Sequence, residues 1–500
     1  MRKIPAAMAT QHPDNAFAPY WLENTKFVDT KHEVEECYRS FNDLNCGEYM
    51  WDWEGKHVDE AVMEKLLERH GDFFSKTQLG KDVFLTFRIP NFWLEKGYRV
   101  ARALVNIMSA NDLAKDQKLH TPPIFEAILP MTQSGEQLYF LRKNYTTLAK
   151  ALRMFGEAGP QDLGLIPLFE APDQMTRPDE IMADYLKRCA ADPVLKKRNP
   201  EYFRPFIGRS DPALNSGLAP AILKAKITLS RCYSFEQQTG LPVYPIIGVG
   251  GLPFRGGLTP QSVASFCKEY EGVRTATVQS SFRYDYPKEE VKKAIGELAK
   301  RLTKKAPIFD KKTEKELRAL DAMFETFYKK TIETISDDVM TVSKTVPQRR
   351  ERRLHIGLFG YARKVSGKIL PRAIGFTCAM YSLGVPPEFI ATGRGLESAK
   401  QQGLFETFEQ HVELKEKLEQ CGGFLNKQNL AVLAQNNAGW KAILKDVAIL
   451  EDWFDLSFGP KTEEHLAHKN LSTNLRLLIG KGQDVSKEME RMAELRKSVG

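Results

Sequence analysis

The 500-residue chain is poor in the features that mark several large protein classes. Its seven cysteines (37, 46, 189, 232, 267, 378 and 421) stand far apart with no C-x-x-C pair. That excludes a disulfide scaffold and a thiolate zinc site, and it fits reduced thiols in a reducing cytosol. The longest apolar stretch, AIGFTCAMYSLGV at 373–385, falls short of the ~20 residues a bilayer-spanning helix needs. The opening MRKIPAAMAT has no apolar segment of a secretion signal. Nine histidines are scattered without H-E-x-x-H, and no G-K-[ST] follows the glycine-rich stretch. Excess charge is small: 72 basic residues against 64 acidic leave a net +8. Such a balance suits anionic metabolites and lacks the concentrated patch of a nucleic-acid binder. A cytoplasmic protein is expected, with neither membrane nor nucleic acid as partner.

The chain is instead rich in alternation. Apolar runs recur as EYMWDWE (48–54), DVFLTFR (82–88), IFEAILP (124–130), GLIPLFE (164–170), FRPFIGRSD (203–211), YPIIGVG (244–250) and TATVQS (275–280). Between them lie segments such as GYRVARALVNIMSAN, with apolar residues at three- and four-residue spacing. Continuous apolar strands alternating with helices predict a parallel sheet covered on both faces. Seven such units predict an α/β fold of the (β/α)₈ barrel type with additional surrounding helices. HIGLFGYAR (355–363) is the candidate eighth strand. The expected organisation is one catalytic unit over 1–500, with a barrel core at about 47–395 and a helical segment at 396–500 packed on it. The charge run QRRERR (348–353) reads as a solvated helix or loop.

In a parallel barrel the chemistry gathers where the strands finish. Asp52, Glu54, Arg88, Glu170, Asp211 and Gln279 all stand at such ends. Glu170 and Asp211, expected on consecutive strands, read as the usual protein share of a Mg²⁺ or Mn²⁺ site, the alternative being carboxylates salt-bridged to neighbouring arginines such as Arg209. GVGGLPFRGG carries five glycines in ten residues around Arg255. It departs from a dinucleotide fingerprint, since Pro253 stands where a helix should begin. It reads as a mobile anion-binding loop with backbone N–H groups left open. GYARKVSGKILPRAIGF adds Arg363, Lys364, Lys368 and Arg372 at the edge of apolar segments. His12, in ATQHPDN, is by itself a lone histidine, and lone histidines are more often structural.

Taken together, ATQHPDN, EYMWDWEGKHVDE, PLFEAPD, IGRSDPALNSG, GVGGLPFRGGLTP, TATVQSSFRYDY and LPRAIGFTCAMYSLGVPPEFI resemble the archaeal-type phosphoenolpyruvate carboxylases, in order and over nearly the whole chain. The resemblance implies carboxylation of phosphoenolpyruvate by bicarbonate to oxaloacetate and phosphate, with Mg²⁺ or Mn²⁺. It implies a route through carboxyphosphate and a metal-stabilised enolate, and a homotetramer. It casts Glu170 and Asp211 as metal ligands and His12, Arg255 and Arg88 as catalytic. Gly256, Gly257, Arg363 and Arg372 become substrate-binding. The larger form of the enzyme has F-H-G-R-G-G where this chain has IIGVGG, and a lysine that SDPALNSG lacks; Arg283 is a candidate replacement cation. The alternative is another Mg-dependent barrel lyase or aldolase acting on phosphoenolpyruvate or pyruvate. An RNA-binding protein using QRRERR lacks interleaved aromatics.

Overall fold

Eight short parallel strands close into a barrel. They are β1 (Ala7–Thr10), β2 (Glu48–Asp52), β3 (Phe84–Arg88), β4 (Glu126–Leu129), β5 (Gly164–Phe169), β6 (Phe206–Gly208), β7 (Ile246–Gly248) and β8 (Thr275–Val278). The computed structural model describes residues 2–95, 98–154, 162–198, 200–351, 363–365 and 367–500, with only the backbone of 154, 363–365 and 368. Seven strands fall in the seven apolar runs. The eighth is not HIGLFGYAR, of which 355–362 lies outside the described residues, but AMAT at 7–10. The barrel therefore begins ahead of residue 47. Met8 pairs with Glu48 on one side and Thr277 on the other, which closes the sheet. Four residues with a single β-branched side chain, Thr10, carry neither the length nor the apolar bulk that marks a buried strand.

Side chains alternate along each strand. Met8, Met50, Ile128, Ile166 and Phe206 form a small cluster inside the barrel. Their strand neighbours Ala9, Trp51, Ala127 and Ile207 belong to the larger core under the surrounding helices. At the end where the strands begin, Arg204 plugs the barrel. It donates to Glu126 Oε2 (2.9 Å) and Thr275 Oγ1 (3.3 Å), and pairs with both oxygens of Glu48. Burial pushes the Glu126 carboxyl up despite that guanidinium. Removing one partner from a buried charge cluster leaves the others uncompensated, so Arg204→Leu is expected to cost about 3–5 kcal/mol of stability. Chemical denaturation checks it. The deficit should shrink as the pH is lowered and the abandoned carboxylates take up protons.

After β8 the chain is mainly helical. The 33-residue helix Lys311–Ser343 and the helix Ala373–Ser382 carry a second core. Leu317, Phe324, Tyr328, Phe376 and Met380 meet Leu396, Trp440 and Met489 there. The helices beyond residue 392 pack on these two as a layer, and they also meet the barrel part directly, as where Lys417 pairs with Glu269 at 2.5 Å and Lys26 with Glu494 at 2.8 Å. The run QRRERR is only in part a solvated face: Gln348 and Glu351 are exposed, and 352–353 lies outside the described residues. Arg349 and Arg350 are buried, with Arg350 paired to Glu33 and Glu36 and Arg349 to Glu490 at 2.7 Å. Their acids come from the helices Glu33–Asn42 and Ser486–Arg496, which are distant in sequence and so invisible to local reading. No described helix is long and apolar enough to cross a membrane.

Candidate active site

At the opposite end of the barrel, where the strands finish, one hollow of about 120 Å³ opens. That suits a small metabolite; drug-sized ligands fill roughly 300–1,000 Å³. His12, Glu54, Arg88, Glu170, Asp211, Arg255, Gln279 and Arg372 all line it. Each barrel residue arrives by the same device, a position at or just past a strand end: His12 after β1, Glu54 after β2, Arg88 ending β3, Glu170 after β5 and Gln279 after β8. Asp211 stands in the first turn of the helix Ser210–Ser216, which follows β6 directly. Arg372 comes from outside the barrel, at the N-cap of the helix Ala373–Ser382. Gly208 lets Glu170 come close: a Cβ there would sit 3.1 Å from both Glu170 Cγ and the Phe169 carbonyl, so the neighbours would have to shift.

Arg88 is buried and engaged. Its Nε and Nη2 donate to the two oxygens of Asp52 (2.9 and 2.6 Å), and Nη1 lies 3.1 Å from Glu54 Oε2. Burial alone would raise the Asp52 carboxyl, but Arg88 outweighs it and holds the group below the usual carboxylate range, with Lys56 and His12 adding to the effect. His12 is set by its neighbours: Nδ1 meets Thr10 Oγ1 at 2.9 Å, and the His12 carbonyl accepts from the Ser280 hydroxyl at 2.6 Å.

Arg255 is 1% exposed. Its Nη1 donates to Asp14 Oδ2 (3.1 Å) and to the Gly500 carbonyl, and Nη2 donates to Gln279. Asp14 in turn accepts from the Ser281 N–H (2.8 Å), and the Val499 N–H donates back to the Asp14 carbonyl (2.8 Å). The loop between β7 and Leu258 is not an open row of donors. Gly250, Gly256, Gly257 and Leu258 all give their N–H groups to carbonyls of the loop itself. Its glycines serve close approach instead. A Cβ on Gly250 would lie 2.7 Å from Arg255 Cζ, and one on Gly256 (φ 122°) would lie 2.5 Å from Val249 Cγ1.

Of the residues singled out in the sequence, His12, Arg88, Glu170, Asp211, Arg255 and Arg372 meet at the hollow, while Gly256 and Gly257 shape the turn behind it. Arg283 does not reach it. It is fully buried, bonded to Glu36 (2.9 Å), Ser40 (2.8 Å) and the Thr10 carbonyl (2.7 Å), and so is no replacement cation at the site. The backbone of Arg363 lies in a two-stranded hairpin, Arg363–Val365 with Lys368–Leu370; its side chain lies outside the described residues. Sequence reading passed over Asp14 and Gly500. Asp14 had a signal, since it belongs to the QHPDN segment. Gly500 had none.

Arg209 borders the hollow too, but its guanidinium turns to the Tyr270 hydroxyl and the Phe254 carbonyl. With it set aside, three arginines face three carboxylates, Glu54, Glu170 and Asp211. The lining is close to neutral, which by itself would not draw in an anion. Glu170 and Asp211, with no thiol beside them, are a donor set for a hard divalent cation that keeps several waters. Among the described residues no group of three or more His, Cys, Asp or Glu offers a closed metal cage. The residues present therefore fit a magnesium-like ion, whose charge would turn the lining positive.

Comparison with known proteins shows the family. Residues 4–500 match the profile of a family described as phosphoenolpyruvate carboxylase. A phosphoenolpyruvate carboxylase of Leuconostoc mesenteroides is 37% identical over 505 residues, covering 100% of this chain and 99% of that protein. The enzyme so named in Metallosphaera sedula is 36% identical over 525 residues and all of both chains. That of Pyrococcus abyssi is 41% identical over 429 residues, 83% of this chain and 87% of its own. With the family profile spanning residues 4–500 and relatives matched over most or all of the chain, the chain belongs to the archaeal-type phosphoenolpyruvate carboxylase family.

Proposed function

We propose that the protein carboxylates phosphoenolpyruvate with bicarbonate, giving oxaloacetate and inorganic phosphate. The observation that carries this reading is the meeting of His12, Glu170, Asp211, Arg255 and Arg372 at one small hollow. Both substrates are anions, so their mutual repulsion has to be cancelled before positioning helps. Glu170 and Asp211 would hold Mg²⁺ or Mn²⁺, which supplies positive charge beside the reacting oxygens. Arg372 and Arg255 bind the anionic groups, while Arg88, braced by Asp52 and Glu54, fixes the β3 side of the hollow. A bicarbonate oxygen attacks phosphorus and the bond to the enol oxygen breaks, giving carboxyphosphate and the enolate. His12 takes the carboxyl proton. Carboxyphosphate then splits into CO₂ and phosphate, and the enolate carbon attacks CO₂. Water would protonate the enolate to pyruvate, so the loop bearing Arg255 must keep it out.

In the same reading the chain works as one catalytic unit in the cytoplasm, as a homotetramer, on small molecules only. The test is a coupled oxaloacetate assay on the purified protein. Oxaloacetate is expected only with phosphoenolpyruvate, bicarbonate and a divalent ion together, and chelation should abolish it. Phosphate release that ignores bicarbonate would favour a lyase or aldolase instead.

A further inference from the structure

In the loop that carries Arg255, both polar backbone atoms of Phe254 are held by buried charged side chains. The Phe254 N–H donates to Glu388 Oε1 (2.8 Å), and its carbonyl accepts from Arg209 Nη1 (3.1 Å). Arg209 follows β6, whereas Glu388 lies in the 3-10 turn Pro387–Phe389 of the helical layer. Both side chains are 0% exposed. Tyr381 donates its hydroxyl to the same Glu388 oxygen (2.8 Å), and the Tyr270 hydroxyl accepts from Arg209 Nε (2.8 Å). Glu388 Oε2 and Arg209 Nη2 have no hydrogen-bond partner among the described residues.

Burying two charges and leaving an atom of each unmatched costs stability that an apolar pair of similar volume would not. Both are directed at a single backbone residue, and the next residue in the chain is Arg255. We propose that Glu388 and Arg209 are positioning residues: they clamp Phe254 from two sides, fix Arg255 in the hollow and keep the loop closed against water. This rests on the reaction proposed above.

Burial pushes the Glu388 carboxyl up to about 7, against the hydrogen bonds from Tyr381 and Phe254 and the charge of Arg209. Cys421, on the helix Lys415–Gly422, also faces it. Arg394 and Asp446, on the neighbouring helices Thr392–Gln401 and Ala438–Phe454, are paired with each other at 2.8 Å. An ionised carboxylate is the stronger acceptor. The clamp should therefore tighten as the pH rises through about 7.

The test uses the full chain and three proteins: wild type, Glu388→Leu and Glu388→Gln. Product partition between oxaloacetate and pyruvate is measured from pH 6 to 8, together with amide hydrogen exchange over residues 252–257. Losing a hydrogen bond to a charged group is worth ~1.5–3 kcal/mol, so the pyruvate share in Glu388→Leu should rise roughly 10-fold or more, and loop exchange should quicken similarly. In wild type the pyruvate share should fall with rising pH. In Glu388→Gln, which keeps an acceptor but no titration, it should be flat. A folded Glu388→Leu that partitions and exchanges like wild type overturns the clamp, as does a Glu388→Gln profile parallel to that of wild type. If Glu388→Leu fails to fold, the glutamine profile decides. Should wild type make no oxaloacetate, the reaction reading falls, and the exchange comparison still judges the clamp.

Discussion

Asp211→Asn is expected to lose roughly 10³-fold or more in kcat/KM for phosphoenolpyruvate, the kinetic equivalent of ~4 kcal/mol. The substitution keeps the size of a half-buried side chain in the first turn of its helix, so the fold should survive. What changes is charge. Without the Asp211 carboxylate, Glu170 alone is left to hold a divalent ion among three arginines. Mn²⁺ binding followed by electron paramagnetic resonance gives a readout that does not depend on turnover, and the affinity should fall in parallel with activity. If Mn²⁺ binds Asp211→Asn as tightly as wild type, this carboxylate is not a metal ligand.

His12→Asn should separate the two halves of the reaction. Attack of bicarbonate on phosphorus does not need the histidine, whereas deprotonation of carboxyphosphate does. Oxaloacetate formation is expected to drop by about 10²–10⁴-fold, the usual worth of a general base. Bicarbonate-dependent phosphate release should continue, with pyruvate replacing oxaloacetate as the carbon product. Parallel assays of phosphate, pyruvate and oxaloacetate check this. Equal loss of all three would place His12 in the first step or in substrate binding.

Much of this architecture could be read from local pattern, because a parallel strand buried on both faces shows as an apolar run. Glu170, Asp211 and Arg88 were legible for the same reason: a charged residue closing such a run sits at the working rim. β1 was not, since AMAT is too short to stand out from its surroundings. Arg283 misled because a cation near a strand end is equally suited to a buried partner, here Glu36 some 247 positions away. The glycine loop gave its location but not its internal bonding, which depends on backbone dihedrals that composition does not reveal. Glu388 was beyond local reading altogether, since its meaning comes from Phe254, 134 positions earlier.

One further consequence lies in how Arg255 is tied down. Its partners include Asp14 and the Gly500 carbonyl, and the residues around them, Ser498 and Asp14, touch across 484 positions of chain. Contacts of such separation form late, after the cost of closing a very long loop has been met. A ribosome-bound or half-assembled protein with its barrel complete but its helical layer undocked would hold both carboxylates, the histidine and the Asp14 and Gln279 bonds to Arg255, yet lack Arg372 and the Gly500 carbonyl that completes the Arg255 set. Catalytic competence would then mark the final docking event in folding, and regain of activity during refolding should lag behind recovery of the barrel's secondary structure.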